Sequence, residues 1–214
     1  MTLDELAAAL EPVPQRGWLI DAVAAARAEP ESVGRAFAQA DRRLGRSPLP
    51  GPAGDAGWTP GRAGRALLLA AVADRPDGAD RVAALYQRGD AAERLAVLVA
   101  LPLLPIADRA VPLLHDALRT NDTRLVGAAL GPYAAHLDAA TWRQGVIKCV
   151  FMGIPLAVVD RLTERADDEL ATMLAGLTEE RAAAGRSMPA DAVALLDRLT
   201  AAADSTKPSS WEEQ

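Results

Sequence analysis

The sequence predicts an all-α fold, a compact array of about ten to twelve helices, partly stacked as helical hairpins in a HEAT-like or α-solenoid-like way. Three observations predict it. Half of the 214 residues are apolar but only 4% are aromatic, so the core is built mainly from Ala, Leu and Val. Ala and Leu head the helix-propensity scale, and strand-forming residues are comparatively scarce. Apolar positions recur at helical spacing, separated by short turns with an Asp, Asn or Thr ahead of the next run and a Gly or Pro behind.

In chain order, Thr2 followed by Glu5 reads as a capping box that opens a short helix through Leu10. A second helix runs from Gln15 to Ala28, stopped by Pro30, and a third from Glu31 to Leu44, stopped by Gly45. Residues 47–61, SPLPGPAGDAGWTPG, carry no helical period and read as a loop pinned by Trp58. Helices are then expected at 62–73, 78–87, 91–101, 108–119, 123–130, 140–152, 155–163, 167–184 and 189–203. Pro189 suits the first turn of the last one. The segments GDAAERLAVLVALPLLP and NDTRLVGAALGPYAAHL echo each other about 32 residues apart, in the range of stacked helix pairs. The expected organisation is one domain over residues 1–204, followed by a polar tail at 205–214 with Trp211 as a candidate anchor.

Composition excludes several classes of function. Net charge is −6, with no cluster of cations of the kind that grips a phosphate backbone, so nucleic acid is not an expected partner. The lone Cys149 rules out an internal disulfide and fits a cytoplasmic setting. The longest apolar run, Leu95 to Ala107, is interrupted by Pro102 and Pro105 and falls short of the roughly twenty residues of a membrane span. The acidic start MTLDELAAAL lacks the layout of a signal peptide. His115 and His136 are the only histidines, and no HExxH, CxxC, GxSxG, phosphate-loop or dinucleotide signature occurs, so no metal and no cofactor are expected.

Three segments carry unusual polar residues. TWRQGVIKCVFMG, residues 141–153, is apolar nearly all round as a helix, with Trp142, Val146, Cys149 and Val150 on one side. Gln144, Lys148 and Phe151 form a stripe at i, i+4 and i+7, which sets an ammonium amid apolar neighbours. Such a lysine reaches water, pairs with a core carboxylate, or lines a ligand pocket. On the helix from Asp167, Arg181 extends an apolar face of Leu170, Met173, Leu174 and Leu177, with Glu180 beside it; both are solvated, or Arg181 points inward. Asn121-Asp122-Thr123-Arg124 reads as a helix cap, and Tyr133 offers a hydroxyl at the Gly131-Pro132 bend.

Taken together, Asn121, the Pro132-Tyr133 bend, WRQGVIK (142–148), RADDELA (165–171) and ERAAAGR (180–186) resemble the EboA-domain family in order and spacing. RALLLAAVAD and LYQRGDAAERLAVLVALPLLP extend the likeness upstream, so that it covers roughly residues 62–200. Asp167 stands where the family pattern has Asn, and Thr178 where it often has histidine, which argues against a histidine base in this chain. The resemblance implies a pathway and no reaction. Its members are encoded with a prenyltransferase-like protein, a dehydroquinate-synthase-like protein and hydrolase- or isomerase-like proteins, in a set associated with making or exporting a secondary metabolite.

The resulting expectation is a non-catalytic accessory protein that handles a small anionic intermediate or contacts a partner enzyme of that set. Its candidate ligand residues are Lys148, Gln144, Arg181, Glu180, Tyr133, Asp122, Asn121, Arg124, Trp142 and Arg186. The alternative is an enzyme acting on a small anionic metabolite with Lys148 as base, electrophile or imine former. A third reading is a structural subunit without a pocket.

Overall fold

The computed structural model describes the backbone of residues 1–206 and the side chains through residue 202. All but the first two residues of the expected tail, Trp211 among them, lie outside the described residues. Among the described residues there are thirteen α-helices, four 3-10 turns and no strand, and the all-α expectation holds. The chain divides into two compact units, Met1–Thr120 and a second beginning at Asn121.

The first unit contains α1 (Leu3–Ala9), α2 (Arg16–Ala28), α3 (Val33–Leu44), α4 (Pro52–Asp55), α5 (Pro60–Ala73), α6 (Gly78–Arg88), α7 (Ala91–Ala100) and α8 (Val111–Arg119). The Thr2–Glu5 capping box forms as the sequence predicts. The 47–61 segment differs from a plain loop. Gly51 at φ 64° and Pro52 start the single-turn helix α4, and Pro60 already begins α5 behind a Thr59 cap. Trp58 is buried at 5% exposure, and its backbone exchanges hydrogen bonds with Ala53 and Leu49.

α5 is the axis of this unit. Ten of its fourteen residues are buried, and α1, α2, α3, α6 and α7 all pack on it. Gly61 and Gly64 permit that crowding. A Cβ on Gly61 would overlap the Asp41 carboxylate of α3, and one on Gly64 would overlap Leu44. Leu68, Leu69 and Val72 are fully enclosed at 0% exposure, each worth roughly 1.5–3 kcal/mol of burial.

The second unit contains α9 (Thr123–Ala129), α10 (Ala139–Met152), α11 (Leu162–Arg165), α12 (Asp168–Ala183) and α13 (Ala190–Thr206). Asp138 caps α10 through the backbone N–H and hydroxyl of Thr141 at 2.9 and 2.7 Å. Gly153 ends it in the left-handed region at φ 69°, where a side chain would be strained. Trp142, Val146, Cys149 and Val150 are buried on one side, as their spacing predicts.

One expected helix fails. In place of a helix over 155–163 there is a 3-10 turn, Leu156–Val158, then a bend at 159–161, and α11 starts at Leu162. Helical bonding is diverted there. The Leu156 N–H donates to the Asp191 carboxylate at 2.7 Å, the Asp160 N–H donates to the Leu130 carbonyl at 2.9 Å, and Arg161 takes a positive φ of 51°. Adjacent Val158 and Val159 give little helical propensity to resist this.

Candidate functional site

The ten candidate ligand residues fall into several local arrangements in the second unit. Asp122 caps α9 through the Arg124 N–H at 2.9 Å and also accepts from the Arg124 guanidinium at 3.0 and 2.6 Å. That bonding holds its carboxyl below the ordinary aspartate value. Arg181 donates from Nε to the Ser187 carbonyl at 3.0 Å and so closes the turn after α12. Asn121, Gln144, Glu180 and Arg186 are exposed.

Lys148 is half-buried, but its stripe is not enclosed. Gln144 lies in solvent on one side of it and Phe151 is 62% exposed on the other. α10 is therefore not apolar-packed all round. Its inward side carries the core, and its outward side carries the unusual residues. Cys149, at 0% exposure, has its thiol pushed up to about 11 by burial, which leaves a poor nucleophile at neutral pH.

Two of the candidates, Tyr133 and Trp142, join a cluster that the sequence did not single out. Tyr133 is buried on the 3-10 turn Pro132–His136 and meets the His136 ring at 4.8 Å. Arg165 donates to the Ala134 carbonyl of that turn and to the Leu137 carbonyl just beyond it, at 2.5 and 2.9 Å, and its guanidinium lies over the Trp142 ring at 4.7 Å. Trp142 is 1% exposed, and its indole N–H has no acceptor among the described residues. Burial lowers the pKa of Arg165; the two carbonyls and the ring stand in for its water. Beside it, Arg143 grips Asp167 through Nε at 2.9 Å and a terminal nitrogen at 2.6 Å, while Asp167 caps Leu170 at 3.1 Å. The hydrogen bonds from Arg143, ahead of the cap, lower the Asp167 pKa. The arrangement is a brace that joins the turn, α10 and α12.

Among the described residues, the fully enclosed cation is in the first unit. Arg65, on α5, is 3% exposed. Its Nε donates to the Phe37 carbonyl at 3.0 Å, one terminal nitrogen meets Asp41 at 2.9 Å, and the other approaches Glu93 at 3.7 Å. It ties α3 and α7 to α5. Arg65 is visible in RALLLAAVAD, yet an arginine at the margin of an apolar run reads as a surface residue until α3 and α7 are in place.

The same unit holds the feature best suited to a small molecule. α1, α2 and α5 border a groove with a cavity volume of about 430 Å³, within the roughly 300–1,000 Å³ of small-molecule sites. Leu3, Ala7 and Leu10 enter it from the α1 side, and Leu67 and Ala70 from α5. α2 contributes Ile20 and Val23, with Arg16 and Arg27 as its charged members. Ile20 is 53% exposed at the margin. Asp4 is the lining acid. A second depression of about 620 Å³ by Arg161, Arg198 and Asp191 has charges of both signs and less apolar wall. The signal for the groove is legible in sequence as the α2 spacing Arg16, Ile20, Val23, Arg27, at i, i+4, i+7 and i+11, but the sequence does not say which helices cover it. Among the described residues no cluster of His, Cys, Asp and Glu suits a metal, and no helix is long and apolar enough to cross a membrane.

A family model described as "Metabolite traffic protein EboA" matches residues 51–197. Comparison with curated proteins and with solved structures returns no significant match. The matched segment includes Leu67 and Ala70 of the groove, whereas α1 and α2 precede it.

Proposed function

The chain belongs to the EboA family, and from that premise we propose that it is a non-catalytic accessory protein which binds a small anionic metabolite in the groove bordered by α1, α2 and α5. The reading is carried by one observation: an apolar cavity of about 430 Å³ whose lining includes two arginines, Arg16 and Arg27. Apolar walls supply affinity by removing hydrocarbon from water, at about 25 cal/mol per Å². The guanidiniums supply orientation, since their planar forks match a carboxylate or phosphate. The groove holds no nucleophile paired with a base, so it is suited to holding a molecule and poorly suited to transforming it. A site open at its margin, with Ile20 exposed there, supports delivery of the held intermediate to, or receipt from, another protein of the same biosynthetic or export set. The enclosed, unreactive Cys149 fits a cytoplasmic setting. The reading of Lys148 as a catalytic group draws no support from α10, where Gln144 and Phe151 on either side of it are exposed.

Titration with anilinonaphthalene sulfonate, a probe with an apolar body and one anionic group, tests the site. The wild-type chain gives saturable fluorescence enhancement, and Ile20→Asp, at an exposed position, abolishes it while leaving the helical circular dichroism unchanged. Equal enhancement by the variant removes the groove from the proposal. Turnover of a pathway intermediate by the purified chain alone overturns the non-catalytic part.

A further inference from the structure

The two arginines of the groove are not placed at random along α2. They are eleven residues apart (27 − 16 = 11), and at 100° per residue they return to within about 20° of the same direction, some 16 Å apart along the axis. Ile20, Val23 and Ala24 lie between them on the same stripe, and all five residues line the groove. The result is a strip of hydrocarbon with a cation at each end.

A molecule with one anionic group satisfies one of these cations and leaves the other above apolar surface. Neither arginine is held tightly elsewhere. Arg16 reaches Glu11 only at 3.9 Å, with the two side chains 46% and 68% exposed, and Arg27 is exposed in the last turn of α2. Asp4 offsets part of their charge, but two cations against one acid leave the lining net positive. We infer that the groove takes an elongated molecule with an apolar middle and an anionic group at each end, one group on Arg16 and the other on Arg27. The inference rests on the groove being the binding site and names the class of ligand it selects. Because α2 precedes the segment shared with the family model, this selectivity belongs to the part of the chain outside that match.

Dodecanedioate and dodecanoate, equal in chain length and differing in one carboxylate, separate the possibilities by calorimetric titration of the full chain. Wild type binds the diacid about tenfold more tightly than the monoacid, the worth of one further charge-assisted contact. Arg16→Gln and Arg27→Gln each erase that difference, and because both positions are exposed the helical circular dichroism stays unchanged. Equal affinity of wild type for the two acids, or a difference that survives in both variants, overturns the two-ended ligand while leaving an anion-binding groove intact. Binding of neither acid, together with no anilinonaphthalene sulfonate signal, overturns the groove itself.

Discussion

The two units of the molecule treat a cation on an apolar helix in opposite ways. In the first, Arg65 is sealed at 3% exposure and satisfied by a backbone carbonyl and two carboxylates. In the second, Lys148 is half-buried on a side of α10 that also shows Gln144 and Phe151 to solvent. The helix that looks more enclosed by its own composition carries the less enclosed cation. Whether a charge is buried is decided by the elements that cover it. α5 is covered by several helices, of which α3 comes closest because Gly61 and Gly64 make room for Asp41 and Leu44, whereas α10 has one covered side.

The contrast predicts unequal costs. Arg65→Met leaves Asp41 enclosed at 11% side-chain exposure without its main partner, and removing one member of a buried pair costs about 3–5 kcal/mol. The variant's thermal midpoint falls steeply, and Arg65→Met with Asp41→Leu recovers much of the loss. A single variant as stable as wild type breaks the comparison at its strong end. The Arg143–Asp167 pair is intermediate, because the Asp167 side chain is 41% exposed and solvent screens it. Its folded-state pKa is lowered from 3.8 by the bonds from Arg143. Its stabilisation is therefore complete above 3.8 and is lost as pH falls below that value towards the native pKa. Arg143→Gln moves the acid-unfolding midpoint to higher pH by circular dichroism; superimposable curves mean that the pair contributes nothing. Lys148→Met has the smallest effect, within about 1 kcal/mol in thermal unfolding. A loss as large as that of Arg65→Met erases the distinction between the two cations.

Local chemistry was legible wherever it is self-contained. The Thr2–Glu5 box, the Gly45 stop and the inward side of α10 all follow from neighbours within one or two turns. The echo between residues 89–105 and 121–137 belongs to this level too. Both segments place an Asp at a helix start, Asp90 for α7 and Asp122 for α9, and the two helices lie in different units. The missing helix at 155–163 shows the limit. The N–H groups of Leu156 and Asp160 are taken by the Asp191 carboxylate and the Leu130 carbonyl, partners more than twenty residues away that no local pattern encodes. The site divides in the same way. The spacing of Arg16, Ile20, Val23 and Arg27 is written in α2, but it becomes a groove only because α1 and α5 stand on either side of it.

The amino-acid order by itself determined the helical class, most helix ends and the family, because helix formation depends on contacts a few residues apart and the family is carried by the identity and spacing of its motifs. Tertiary structure alone decided that Arg65 rather than Lys148 is the enclosed charge, that Arg165 rests on Trp142, and that the cavity lies beside α2. Burial is set by what packs against a side chain, and those neighbours come from distant parts of the chain whose approach small residues such as Gly61 and Gly64 permit.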